Sequence, residues 1–277
     1  MKLATATSVL YRYAIQDAIS VVARAGYDGV DIWGGRPHVY RQDLSTEELN
    51  SLRQRLDEYG LEVPSLMPAF YRYPYSLSSP NPRVRNDSLE YMRECVDNAV
   101  VLGAAIVLIV PDHSLFGQQR ADSLQRLTES IDIIARYAAQ RQQRLKLGIE
   151  ILYGDETDLV NSADDALAII NQIGHENVGA VLDTGTLNLS KESLLEIFDK
   201  LDRLVLQIHV NDNQGGEKQQ NLIPGEGTYD FQGLVQFLKE RGYQGYLSAE
   251  LSKEYADGPE DALRLTAERL RAWMQAQ

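Results

Sequence analysis

The 277-residue chain is poor in residues that build disulfide or soft-metal frameworks: it has one cysteine and four histidines. A lone Cys95 excludes an intramolecular disulfide and any cysteine-based zinc cluster. Leu89, Met92, Val96, Ala99 and Val100 surround it at helical spacing, which marks a thiol packed on an apolar helix face rather than a nucleophile. Positive charge is short as well. Lysine and arginine total 27 against 40 aspartates and glutamates, a net charge of −13. Phosphate backbones and anionic membranes attract basic surfaces, so neither nucleic acid nor membrane is expected as a partner. No apolar run reaches the roughly 18 residues of a membrane span. Residues Met1 to Tyr13 lack a signal-type apolar core and cleavage site, and the expected location is the cytoplasm.

What the chain does have is a series of short apolar runs, four of which end on a group that binds hard or borderline metals. Leu145 to Glu150 ends on Glu150, Val178 to Asp183 on Asp183, and Tyr246 to Glu250 on Glu250; Leu204 to Asp212 delivers His209. Each run reads as a buried parallel strand. Taken singly, a carboxylate after such a run is more often a helix cap, and a histidine more often a satisfied core residue. The coincidence decides otherwise. The four residues are separated by 33, 26 and 41 positions, each near the roughly 31 residues of one strand–helix unit in an eightfold barrel. Strand tips of a barrel converge on one face, so the four side chains can share a centre.

Strand and helix signals alternate along the whole chain. Strands are expected at Lys2 to Ser8, Gly29 to Ile32, Glu62 to Met67 and Ala105 to Val110, followed by the four runs above. Helices are expected at Gln16 to Ala25, around Cys95, and at Ala121 to Arg141, Lys191 to Leu201, Phe231 to Arg241 and Pro259 to Gln275. Ser45 with Glu48 and Ser162 with Asp165 read as capping boxes, and Ser190 as the cap of the helix after it. Gly26, Gly60, Gly103, Gly174 and Gly242 each stop a helix before the next strand. The expected fold is α/β, a TIM (β/α)8 barrel, with residues 1–277 as a single domain. A doubly wound open sheet would need a glycine turn after its first strand, and Ser8 to Tyr11 offers none. The longest loops follow strands two, three and seven, on the same face as the four tips. They bring Trp33, His38, Tyr71, Tyr73 and Tyr75, most of which are expected to pack the loops and some to cover the apolar face of a sugar.

Three carboxylates and an imidazole suit one divalent ion, Mn²⁺, Mg²⁺, Co²⁺ or Zn²⁺, among which the residues do not choose; Mn²⁺ is the favoured expectation. Such an ion polarises a carbonyl and acidifies the neighbouring C–H. Glu150 and Glu250, from strands that are not adjacent, can then act on opposite faces of that carbon as an acid/base pair.

The chain resembles, along nearly its whole length, the sugar isomerase/epimerase branch of the xylose-isomerase-like TIM barrels. The likeness is carried by the four strand tips, by Gly26 to His38 with its G-G-R-P-H ending, by Tyr73-Pro74-Tyr75, and by Ile223 to Gly227. The resemblance implies a metal held by Glu150, Asp183, His209 and Glu250, with Glu150 and Glu250 catalytic. It also implies a substrate-binding glutamate at Glu156, and His38 and His113 on the active-site face beside Trp33. The implied activity is inversion of C3 of a ketose, or of a ketose–amine adduct of the fructoselysine kind, through an enediolate. Thr186, Gly215 and Ile151 stand where many ketose 3-epimerases carry histidine, arginine and proline, which points away from a free ketohexose.

Aldose–ketose isomerisation and dehydration begin with the same proton abstraction and stay open. An abasic-site endonuclease on this barrel would need more histidines than four, and a non-catalytic sugar binder would not need both glutamates. The loops after strands seven and eight offer only Lys218 and Lys253 among several acids, so an unphosphorylated sugar is the expected partner. A homo-oligomer is compatible with everything in the sequence.

Overall fold

The computed structural model describes residues 1–70 and 74–276. Eight parallel strands close into a barrel in chain order: β1 (Lys2–Ala6), β2 (Gly29–Gly34), β3 (Ser65–Pro68), β4 (Ile106–Ile109), β5 (Lys146–Glu150), β6 (Val178–Asp183), β7 (Val205–Val210) and β8 (Tyr246–Ala249). Closure is explicit in the pairing of β1 with β8, where Lys2 lies opposite Tyr246 and Thr5 opposite Ala249. Around the barrel run α1 (Ile15–Arg24), α2 (Thr46–Tyr59), α3 (Pro82–Leu102), α4 (Arg120–Arg141), α5 (Ala163–Ile173), α6 (Thr184–Ser190), α7 (Leu194–Leu201), α8 (Phe231–Glu240) and α9 (Pro259–Gln275). This is the expected (β/α)8 architecture. No helix among the described residues is long and apolar enough to cross a membrane.

Local chemistry sets the boundaries. Ser45 and Glu48 form the reciprocal capping box expected of them. The Ser162 hydroxyl accepts from the Asp165 amide, but Asp165 returns its bond one residue earlier, to the Asn161 amide. All five helix-stopping glycines have positive φ, the left-handed conformation that lets the chain leave a helix without a Cβ penalty. Several boundaries shift from expectation, β2 running on past Ile32 to Gly34. β3 starts at Ser65 rather than Glu62, because Pro64 has no N–H for the ladder. β1 stops at Ala6, and Thr7–Leu10 coils into a 3-10 turn.

The main correction lies after β6. The expected helix from Lys191 to Leu201 is α7, which starts only at Leu194; an unexpected helix, α6, precedes it, and Ser190 caps neither of them. It is the last residue of α6, which Lys191 ends in a left-handed conformation. The start of α6 is set by Asp183, whose carboxylate accepts the Thr186 amide at 2.8 Å.

Leucine, isoleucine and valine from the outward faces of the strands pack on the apolar faces of the helices, with Cys95 buried in α3 as expected. Burial pushes its thiol up to about 12, so it stays an inert thiol at neutral pH. Inside the barrel the filling is small and partly polar. β6 and β7 slip register between Ala180 and Val181. A Cβ built on Gly148 would meet Val181 at 2.6 Å and Ile106 at 3.1 Å. The Gly148→Ala variant is therefore expected to lose about 1–3 kcal/mol of stability by overpacking, read by denaturant unfolding. An unchanged midpoint and slope would show that the interior has slack at this level.

Candidate metal and sugar site

Period two puts every second residue of a strand inside the barrel. β5 delivers Glu150 at its tip, β6 delivers Asp183, β7 delivers His209 opposite Asp183 in register, and Glu250 follows the last residue of β8. Their ligand atoms all lie within 4.8 Å of one another. His209 Nδ1 stands 2.7 Å from Glu150 Oε1 and 3.1 Å from Glu250 Oε2. Asp183 is tied more tightly. Besides the Thr186 amide, Gln219 Nε2 donates to its Oδ1 at 2.8 Å and Asn211 Nδ2 to its Oδ2 at 2.5 Å. Asp183 thus fills both roles that a carboxylate after an apolar run can have, helix cap and cluster member.

Crowding so much acid in a buried space has a cost that appears in the proton affinities. Burial pushes Glu150 up to about 7, against the pull of His209. Burial and then Glu250 push Asp183 up to about 6. Burial acts downward on His209, but the Glu150 and Glu250 carboxylates overcome it and hold the imidazole well above its usual value. Burial, joined by Asp183, Glu150 and Glu250, pushes Glu156 up to about 9. Three converging carboxyls with one imidazole form a donor set that fits a divalent cation, whose charge would offset the repulsion that raises Glu150 and Asp183.

The cluster floors a cavity of about 330 Å³. Its lining is partly apolar, from Trp33, Met67, Phe70, Leu108, Val110 and Leu152, and partly polar, with Glu156, Gln219 and Asn221. Trp33 and Glu156 therefore line the cavity. His38 does not: it is buried behind Trp33, ring edge to ring face at 5.8 Å between centroids. His113 is exposed on the loop after β4, outside the lining, and neither histidine joins the four-residue cluster. Tyr75 stacks on Tyr91 at 4.1 Å and packs the loop, while Tyr71 and Tyr73 lie outside the described residues. Leu152, Phe70 and Gln219 carry no motif that would have singled them out.

The loop after β7 brings Gln219 and Asn221 to the cavity. Asp212 organises it: its buried carboxylate accepts the amides of Gly225, Gly227 and Tyr229 at 2.8–3.1 Å. That explains the P-G-E-G stretch, since a Cβ on Gly227 would run into the Asn213 backbone.

The family model for xylose isomerase-like TIM barrels matches residues 19–273. The chain belongs to that family. Among relatives of this xylose isomerase-like barrel, fructoselysine 3-epimerase of Shigella flexneri is 28% identical over 261 residues, covering 94% of each chain. L-ribulose-5-phosphate 3-epimerase of Salmonella typhi is 28% identical over 226 residues, covering 79% of this chain and 75% of the relative. The crystal structure of D-psicose 3-epimerase from Clostridium cellulolyticum H10, with D-tagatose, shares the fold over 100% of both chains at a TM-score of 0.82 and 17% identity. The chain is an enzyme of the epimerase class, as its relatives are.

Two outcomes are expected from the cluster. Purified Asp183→Ala and His209→Ala variants bind no stoichiometric Mn²⁺ by calorimetry where the parent binds one ion; unchanged metal content in both would dismiss the site. The second concerns pH. Asp183 and Glu150 hold protons more tightly folded than unfolded, so the metal-free cluster subtracts stability as pH rises through about 4 to 7, and His209 adds to the loss above about 6.5. Metal competes with those protons and binds more tightly at higher pH. In chelator, the parent should lose more stability than Asp183→Asn between about pH 4 and 6, and its Mn²⁺ affinity should rise over the same span.

Proposed function

We propose that the enzyme is a divalent-metal-dependent 3-epimerase of an unphosphorylated ketose, or of a ketose–amine adduct of the fructoselysine kind. The observation that carries this reading is the pair Glu150 and Glu250, both lining a sugar-sized cavity and both within reach of His209 Nδ1. Glu150, Asp183, His209 and Glu250 would hold the ion, which when bound supplies Lewis-acid polarisation of the substrate carbonyl. Glu150 and Glu250 come from strand tips three units apart around the barrel and so face the substrate from different sides. One takes the C3 proton to leave an enediolate and the other delivers a proton to the opposite face. Glu156, whose buried Oε2 has no hydrogen-bond partner, is placed to bond a substrate hydroxyl. Trp33, backed by His38, covers the apolar face of the sugar, and its wall keeps water from the enediolate.

The cavity chemistry favours a substrate without phosphate. Glu150, Glu156, Asp183 and Glu250 line it, and no lysine or arginine does so among the described residues. Lys218 and Lys253 point into solvent. A phosphate there would meet carboxylates with no paired cation. This agrees with fructoselysine 3-epimerase more closely than with the ribulose-phosphate enzyme.

Proton exchange tests the reading. The protein is incubated with Mn²⁺ in D₂O with fructoselysine, and separately with free ketoses, and deuterium is followed by NMR. Label at C3 with a new C3 epimer is expected. Glu150→Gln and Glu250→Gln should each lower turnover by about 10²- to 10⁴-fold. Label at C1 with an aldose appearing would instead identify an isomerase, and no exchange in any sugar with metal bound would reject proton abstraction.

A further inference from the structure

One buried carboxyl inside the barrel has no part in the cluster or the cavity. Asp31, in the middle of β2, is fully buried. Its Oδ1 accepts the Ser65 amide of β3 at 2.8 Å, and its Oδ2 accepts Gln207 Nε2 of β7 at 2.6 Å and the Ser248 hydroxyl of β8. These partners are not arbitrary. Gln207 stands two residues before His209 and Ser248 two residues before Glu250, so by strand alternation each donor points inward directly beneath a member of the cluster. Neither Gln207 nor Ser248 has another side-chain hydrogen bond among the described residues, and Gln207 Oε1 is buried without a partner. Asp31 therefore holds both side chains, from the far side of the barrel, one layer below the site. Burial raises its carboxyl and His209 pulls it back, which places the imidazole within its field.

We propose that Asp31 is the positioning residue of the metal centre: by gripping Gln207 and Ser248 it sets where His209 and Glu250 stand relative to each other. The inference rests on the metal reading above. A carboxylate at this place can accept from both donors at one oxygen. An asparagine would not release them, since its nitrogen can donate to the unpartnered Gln207 Oε1 after an amide turn and to the Ser248 hydroxyl oxygen. Asp31→Ala removes the acceptor and releases Gln207 of β7 and Ser248 of β8. Groups that orient metal ligands typically change affinity by about 10- to 100-fold.

The test is Mn²⁺ titration of the chelator-stripped full chain, with free Mn²⁺ counted by electron paramagnetic resonance and metal-free melting followed in parallel. The parent is expected to bind one ion and Asp31→Ala to bind it about 10- to 100-fold more weakly. Ser248→Ala, which removes one donor and should fold whatever Asp31→Ala does, is expected to show a smaller loss in the same direction. Leu127→Ala, in the core outside the barrel, controls for stability: it should lower the metal-free melting temperature and leave the affinity at the parent value. Parent-like affinity in Asp31→Ala or Ser248→Ala, or equal weakening in Leu127→Ala, would overturn the positioning role and leave the metal site standing. A parent that binds no Mn²⁺ would overturn the metal site and the inference together.

Discussion

The mutual repulsion of three carboxyl groups forced into one buried space is the constraint on which the rest of the site depends. Closure of the barrel brings the tips of β5 to β8 together whether or not their charges agree. Glu150, Asp183 and Glu250 then crowd a single imidazole, and the proton affinities of Glu150, Asp183 and His209 rise in response. A fold selected for stability alone would place apolar side chains there. Keeping these four marks the tips as chemical equipment, and everything around them follows from supporting it: Asn211 and Gln219 on Asp183, apolar residues in the cavity lining, and a polar layer beneath.

The barrel and its four-residue cluster were legible because each rests on a signal that survives averaging. Apolar runs, helix-stopping glycines and the Ser45–Glu48 capping box are local, and all three stand in the structure as read. The cluster was legible from coincidence, four metal-binding residue types at consecutive strand ends. What stayed hidden depends on tertiary placement. Nothing in the spacing of Phe70, Leu152 or Gln219 tells that they share a cavity with Trp33 and Glu156. His38 sits close in sequence to Trp33 and reads as a surface of the same loop, yet it turns inward behind the ring.

Helix α6 shows how one residue can hide another element. Reading Asp183 as a metal-type residue left Ser190 as the next available cap, and a single helix followed from that choice. Asp183 also caps, and α6 begins at once. The polar layer was more readable than it looked. Gln207 before His209, and Ser248 before Glu250, break the apolar runs at the inward-facing positions, and a strand that carries a polar residue inside a barrel needs a partner there.

The hydrogen bonds on Asp183 divide the site into a fixed half and a yielding half. Three donors from α6, the β7 tip and the following loop settle its orientation during folding, so little rotamer freedom remains to be lost when something binds. Glu250 is about a quarter exposed, and its one side-chain polar contact among the described residues is His209. In the proposed reaction the two acids therefore play unequal parts in the same ring: one serves as an anchor whose coordinates are set in advance, and the other as an arm that can swing between a ligand and a proton in transit.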